Sequence, residues 1–261
     1  MKKIIVKTIK AVLCAAFWII LWHLAAMKVD LEVILPSPAA VTFRLLELMR
    51  DGEFYLTAFT SLLRVLTGII AGVLIGCICA VLTANISVLD TLLSPAISVI
   101  KSVPVASFII LLMLWVDKNS LPAFITFLIV FPLAWANIST GIKTAPKNLL
   151  EIAKVYKFDP MRKVLHIYIP SLIPFFISTA KSALGLAWKA GIAAEVLAVP
   201  AIAIGSEIYL SKNFFETTDL FAWTIVTLVL SVMVESLIGG LLSRLSRKYD
   251  YRSEENEHAE N

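Results

Sequence analysis

Three ionisable residues fall within one otherwise apolar stretch: Lys181, Lys189 and Glu195. A charged side chain near the middle of a bilayer costs at least about 2.5–3.5 kcal/mol, so each needs a cavity, a partner or an adjoining helix. Lys181 is close enough to the edge of the stretch to snorkel. Lys189 is not, which leaves a structural or subunit-pairing role, a solute path, or a peripheral position. Glu195 does not follow Lys189 at the three- or four-residue spacing of a shared helical face, so no ion pair within the helix is expected. Packing-network or gating roles suit Glu195 better than contact with a solute. Lys101 and Arg64 add cations at the edges of other apolar runs, where they can anchor a helix or influence an anionic solute. Combinations that catalyse are missing. His23, His166 and His258 have neither the spacing nor the carboxylate partners of a metal site or a general base. No pattern joins a nucleophile to a base, and no GxxxxGK[ST] sequence is present.

The elements that carry these residues follow from composition. Of 261 residues 59% are hydrophobic and 16% charged, against about 25% charged in a soluble domain. Uncharged stretches run over Val65 to Leu89, Asn119 to Ile142 and Leu220 to Val234. About 20 apolar residues suffice for a helix to cross the hydrocarbon layer, and helices are required because unpaired backbone groups facing lipid are costly. We expect six spans, at 11–27, 60–84, 94–116, 120–141, 175–198 and 220–242. The first resembles a signal peptide in its four preceding lysines but is long and has no convincing small-residue cleavage site, so it is read as retained. Gly68, Ala71, Gly72, Gly76 and Ala80 predict a close helix contact on the second span. Pro95, Lys101 and Pro104 make the third the least regular, with first turns at the interface or against a polar cavity. Cys14, Cys77 and Cys79 lie in apolar spans and read as packed thiols.

Lysine and arginine set the orientation. Four lie in residues 1–10, six in 142–172 and four in 243–261, against Lys28, Arg44, Arg50, Lys118 and Lys212 on the other side. This asymmetry predicts both termini in the cytoplasm. It also accounts for the net charge of +4 without nucleic-acid binding. The segment Pro36 to Arg50 is expected as a short external helix with Val41, Leu45, Leu48 and Met49 on one face. The polar tail from Tyr249 is expected to lack regular structure.

The main interruption is the loop 143–170. Leu149, Leu150, Ile152, Ala153 and Tyr156 suit a short amphipathic helix, and Asp159 followed by Pro160 suits the start of a second. Two such helices in a hairpin could transmit force to the attached spans. The run EIAKVYKFDPMRKVLHIYIP, Glu151 to Pro170, resembles the EAA loop of binding-protein-dependent ABC importer permeases. Glu151, Ala153 and Pro170 match that pattern, whereas Ile152, Lys157 and Ile169 stand where alanine, glycine and leucine are usual. KSVPVASFIILLMLW at 101–115 and SALGLAWKAGIAAEVLA at 182–198 are similar to the nitrate, sulfonate and taurine branch.

The resemblance implies an all-α membrane protein whose six transmembrane helices form an ABC type-1 permease core over 60–245, after an amino-terminal unit 1–59 and before a polar tail 246–261. It implies a second, identical permease subunit, two cytoplasmic ATPase subunits carrying ATP and Mg, and an extracytoplasmic substrate-binding protein. The setting would be a prokaryotic inner or plasma membrane, and the chain itself would bind no cofactor. The cargo would be a small organic or inorganic anion, such as a sulfonate. Glu151 and Ala153 would lie on the helix inserted into the ATPase, with Lys157 and Asp159 at its turn and Pro170 closing the loop. Lysine where glycine is usual means either strain or a different bend. Lys101, Lys189 and Glu195 are the translocation or gating candidates. Two other classes are compatible with the residues alone: a secondary carrier using Lys189 and Glu195 for ion coupling, and an intramembrane enzyme acting on lipid.

Overall fold

The computed structural model describes residues 2–259, with side chains at all of these except 2–5, 7, 8, 11, 147, 160 and 245–259. The α-helices in chain order are α1 (Lys2–Val29), α2 (Pro38–Leu48), α3 (Gly52–Asn85), α4 (Ser87–Ser102), α5 (Val105–Leu112) and α6 (Leu121–Lys143). They continue with α7 (Lys147–Val155), α8 (Pro160–Lys163), α9 (Ile169–Ala198), α10 (Ile204–Asn213) and α11 (Thr217–Ala259). Among the described residues five segments are long and apolar enough to cross a membrane, and the bent pair α4 and α5, taken as one span, gives the expected sixth.

The third span differs from its expected form. It is two helices meeting at 104°. Pro95 is absorbed inside α4, and the break falls at Val103, extended at ψ 131°, ahead of Pro104. A residue before proline is driven out of the helical region, and proline cannot donate back to the preceding turn. The second loop helix also differs. Instead of ending at Pro170 it runs through a π-helical turn, Val164–Tyr168, into α9, giving one helical body from Met161 to Ala198. Ile169 donates to the Val164 carbonyl, and the wider turn makes room for a proline that would clash in an α-helical register. At the other end of the chain, α11 continues as helix to Ala259 through the segment expected to be irregular, whose lysine, arginine and glutamate content favours helix. Residues 260 and 261, in that same tail, lie outside the described residues.

α3 and α6 pack along most of their length, and the glycines of α3 explain why they can. A methyl added at Gly72 would come within 2.7 Å of Val130 Cβ, and one at Gly76 within 2.6 Å of Ala134 Cβ. α6 packs in turn on α9, which also holds α10 and α11. One apolar core, with Val65, Ile69, Trp188, Ile204 and Trp223, lies between α3, α9, α10 and α11. A smaller one, with Ile109, Ile125 and Ala194, binds α5 to α6 and α9. α2 starts on a Ser37 cap, whose hydroxyl accepts from Ala40 N at 3.2 Å, and packs on α11. Arg44 forks onto Asp219 there, Nε to Oδ1 at 2.6 Å and Nη2 to Oδ2 at 2.8 Å.

Candidate functional site

The bend between α4 and α5 opens a cavity of about 570 Å³ against α6 and α9. Lys101 on the last turn of α4 and Lys189 on α9 both line it. Ile100, Val105, Ile129, Pro132 and Leu186 supply apolar wall. None of the lining residues is acidic. Two candidates that are 88 residues apart in sequence therefore share one site. Val105, the first residue of α5, is on the wall, and no side chain caps that helix start. Its first N–H groups have no partner inside the helix and carry the positive end of the helix dipole. A mostly apolar wall with a few charged or polar groups is the usual lining of a site for a small molecule, and the groups here are cationic.

Glu195 is not brought to Lys189. Its carboxylate is fully buried on α9 and is held from α3 and α10. Ser61 Oγ donates to Oε2 at 2.8 Å, Gly205 N donates to the same oxygen at 3.1 Å, and Arg64 Nη1 approaches Oε1 at 3.4 Å. Arg64 also donates to the Ile202 carbonyl at 2.6 Å, and Ile204 N donates to Ser61 Oγ at 2.9 Å. Gly205 is required by this contact, because a Cβ there would collide with Glu195 Cβ and the Val196 nitrogen. The clasp thus ties the α10 end of α9 to α3. Arg64, considered above as an influence on solute, is spent on this clasp, and the carrier site built from Lys189 with Glu195 is not assembled. The link between the clasp helices is tense: Val199, which ends α9, has φ 49° and ψ 62°, an outlying conformation for a β-branched residue.

At the other end of α9, the loop keeps the bend that glycine would favour. Lys157 has φ 49°. Phe158 N donates to the Ala153 carbonyl at 2.9 Å and Lys157 N to the Lys154 carbonyl at 3.3 Å, so α7 ends in a left-handed cap. Lysine there carries about 1–2 kcal/mol of backbone strain. Lys157→Gly is expected to relieve about 1 kcal/mol, slowing hydrogen exchange at the Phe158 amide about fivefold. Glu151, Lys157 and Asp159 are exposed, and Asp159 Oδ1 lies 3.4 Å from Arg162 Nε. Ala153 is completely buried and faces its own chain, so it supports the loop instead of presenting a surface. Val155, Tyr156 and Met161 are large apolar side chains left exposed around the bend. Pro170 sits in the first turn of α9, where it fixes the junction between loop and span.

Near α10 a carboxylate cluster escaped the sequence reading. Glu207, half-buried on α10, is pushed above the ordinary carboxylate range by burial first, then by neighbouring Asp219 and Glu53. A raised folded-state value means that ionising Glu207 costs stability. That cost is absent below the unfolded value of about 4.3 and grows as pH rises past it. Glu207→Gln is therefore expected to raise the melting temperature at pH 7.5 and leave it unchanged at pH 4, as measured by thermal aggregation in detergent. Among the described residues no group of histidine, cysteine and carboxylate side chains could hold a metal ion.

A helical membrane body, a broken span beside a cationic cavity and an exposed loop continuous with a cavity-lining helix define a transport subunit. The chain belongs to the family of binding-protein-dependent transport system inner membrane components, whose model matches residues 72–248. It is a multi-pass membrane permease subunit of an ATP-driven importer, with the ATPase on a separate subunit. A Bacillus subtilis (strain 168) protein named provisionally as an aliphatic sulfonates transport permease is 24% identical over 88% of this chain and 83% of its own. The bicarbonate transport system permease of Synechocystis is 27% identical over 74% of this chain and 67% of its own. The riboflavin transport system permease of Chloroflexus aurantiacus is 25% identical over 83% and 81%. Among solved structures, the MetNI methionine ABC transporter in inward-facing form matches with a TM-score of 0.54 and 17% identity, over 74% of this chain and 92% of that one. That likeness concerns the fold.

Proposed function

We propose that the chain moves a small anion, organic or inorganic, through a path that includes Lys101 and Lys189. Two copies of the chain form the path, both termini lie in the cytoplasm, and an external binding protein delivers the cargo. Two cytoplasmic ATPase subunits, with their ATP and Mg, grip the loops 143–170 through Glu151, Lys157 and Asp159 and the apolar side chains around the bend. Ala153 and Pro170 shape that loop from within.

The observation that carries this reading is the unbroken helical body from Met161 to Ala198. One end lies at the exposed bend of the loop, and further along the same body is Lys189 in the cavity. A shift of the loop imposed by ATP therefore moves a cavity wall as a rigid rod. This is population shift through differential contact in two states of the ATPase pair, not chemistry by this chain. Relatives named for sulfonates and bicarbonate support an anionic cargo.

The test is association and stimulation in the assembled complex. Glu151→Lys with Asp159→Lys is expected to weaken ATPase co-purification and abolish stimulation of ATP hydrolysis by loaded binding protein, with membrane insertion unchanged. Normal association and normal stimulation in that variant would remove the loop from the coupling role.

A further inference from the structure

Resting on that two-copy reading, we infer that the copies recognise each other inside the membrane through one ion pair made twice, Lys189 of each copy with Glu235 of the partner copy. Glu235 directly follows the uncharged run Leu220 to Val234 and lies within the apolar segment Thr217–Arg244 of α11. Its Oε1 rests against Gly185 of α9, where an added methyl would stand 3.1 Å away. That level is deep. Asn137 of α6 donates to Thr179 Oγ1 at 3.0 Å on one side of it and Gly191 meets Thr126 of α6 on the other, so Gly185 lies near the middle of the span Leu121–Lys143. A carboxylate at such depth needs a countercharge or a polar cavity. Ser231 Oγ, at 3.3 Å, is its one side-chain donor among the described residues. No ion pair among those residues includes Glu235, Lys181 or Lys189.

The face of α9 beside Glu235 is uncovered. Ser182, Leu186, Lys189 and Ala193 are exposed along it at steps of four, three and four residues, the spacing of a helix-pairing seam. Lipid can cover the leucine and the alanine, but a lysine held there stays unpaired at a cost. The two charges lie on opposite flanks of this face: Lys189 lines the cavity beside α4 and α6, and Glu235 is on the α11 side of Gly185. A twofold axis along the membrane normal sets two such faces together with the lysine flank of one opposite the glutamate flank of the other, at equal depth. One chain therefore carries both halves of a self-complementary contact.

Depth chooses Lys189 over Lys181. α9 and α11 run in opposite directions, since Trp188 Nε1 donates to the Thr227 carbonyl at 3.2 Å while Gly185 meets Glu235. Side chains on a helix lean toward its N-terminus. Lys189, one turn beyond Gly185, leans back to the level of the carboxylate, whereas Lys181, one turn before it, leans away toward the loop. A different permease without an acid at this level would leave Lys189 unpaired, so the contact selects a second copy of this chain.

Cross-linking between two differently tagged forms of the chain tests the pair in the permease–ATPase complex in lipid nanodiscs. Cys14, Cys77 and Cys79 are replaced by alanine, one form carries Lys189→Cys and the other Glu235→Cys, so that only a link between copies can form. With a propanediyl bis-methanethiosulfonate, complexes purified through both tags should give a covalent dimer at least about tenfold more readily than the combination Lys181→Cys with Glu235→Cys. Stability supplies a second readout. Glu235→Leu should lower the melting temperature of the complex, and Lys189→Glu with Glu235→Lys should recover at least about half of what either change loses alone.

Co-purification of the two tags without the link would overturn the inference, as would a link that favours Lys181. A rise in melting temperature with Glu235→Leu would mean that the carboxylate faces lipid, and a charge exchange that recovers nothing would mean that the two residues do not meet; either result overturns it. Tags that never co-purify would remove the two-copy reading and the pair together, whereas co-purification without the link removes the pair alone.

Discussion

Arg64→Ala is expected to lower the melting temperature of the detergent-purified protein by roughly 10 °C or more. Removing the cation leaves Glu195 as a buried charge with no countercharge, a loss of about 3–5 kcal/mol when one partner of a buried pair is deleted, and each kcal/mol moves the midpoint about 2–4 °C in a chain of this size. The effect is larger than a single ion pair suggests because Arg64 also satisfies the Ile202 carbonyl at 2.6 Å. Ser61→Ala should cost less, about 1–3 kcal/mol, since it strands the Ile204 N–H and removes one of three donors to the carboxylate. Arg64→Lys should fall between wild type and alanine, keeping charge but losing the planar fork. A midpoint for Arg64→Ala within 1–2 °C of wild type, roughly the error of such a scan, would show that the clasp does not hold α9 to α3.

Insertion of two glycines between Leu165 and His166 should separate ATP hydrolysis from transport. The π-helical turn Val164–Tyr168 is the joint that makes loop and span one body, and a flexible insertion there lets the loop move without the rod. Hydrolysis by the ATPase subunits should persist, whereas ATP-driven uptake falls by about 5- to 150-fold, the range spanned by ordinary coupling energies. Insertion of a whole helical turn that preserves rigidity is expected to do less damage to coupling than the glycines. Retained uptake with the glycine insertion would mean that force travels by another route, such as α7 and α6.

The two variants probe opposite ends of α9, and the sequence is not equally informative about them. The number of spans was readable because length and apolarity are local properties. The bend at 104° was only half readable. Pro95, Lys101 and Pro104 all mark the third span as irregular, yet which of them breaks the helix depends on whether the freed carbonyls find partners. Pro95 is absorbed and Pro104 is not. The continuity of α8 with α9 was hidden because Pro170 reads as a stop, and only the wider register of a π turn lets the helix pass it.

Residues of the site divide in the same way. Lys101 and Lys189 drew notice separately, as charges misplaced in apolar sequence, but that they line one cavity is a consequence of the bend. For Glu195, burial in a packing network was foreseeable from its position. Its partners were not: Ser61 and Arg64 share a face of α3 by their spacing, but nothing local ties that face to a residue more than a hundred positions on. Lys157 shows the reverse case, where the departure from glycine was visible and the outcome was a question of energy. The backbone keeps φ 49° and accepts the strain, because the two hydrogen bonds of the cap depend on it.

The most direct measurement of the central claim is uptake into proteoliposomes containing this chain, with and without its ATPase partner, using binding protein loaded with its own labelled ligand. Accumulation is expected only when ATPase subunits, internal ATP and Mg, and external binding protein are all present, and it should disappear when Lys101 and Lys189 are both changed to glutamate. Accumulation without the ATPase, following an imposed proton or sodium gradient, would contradict the account.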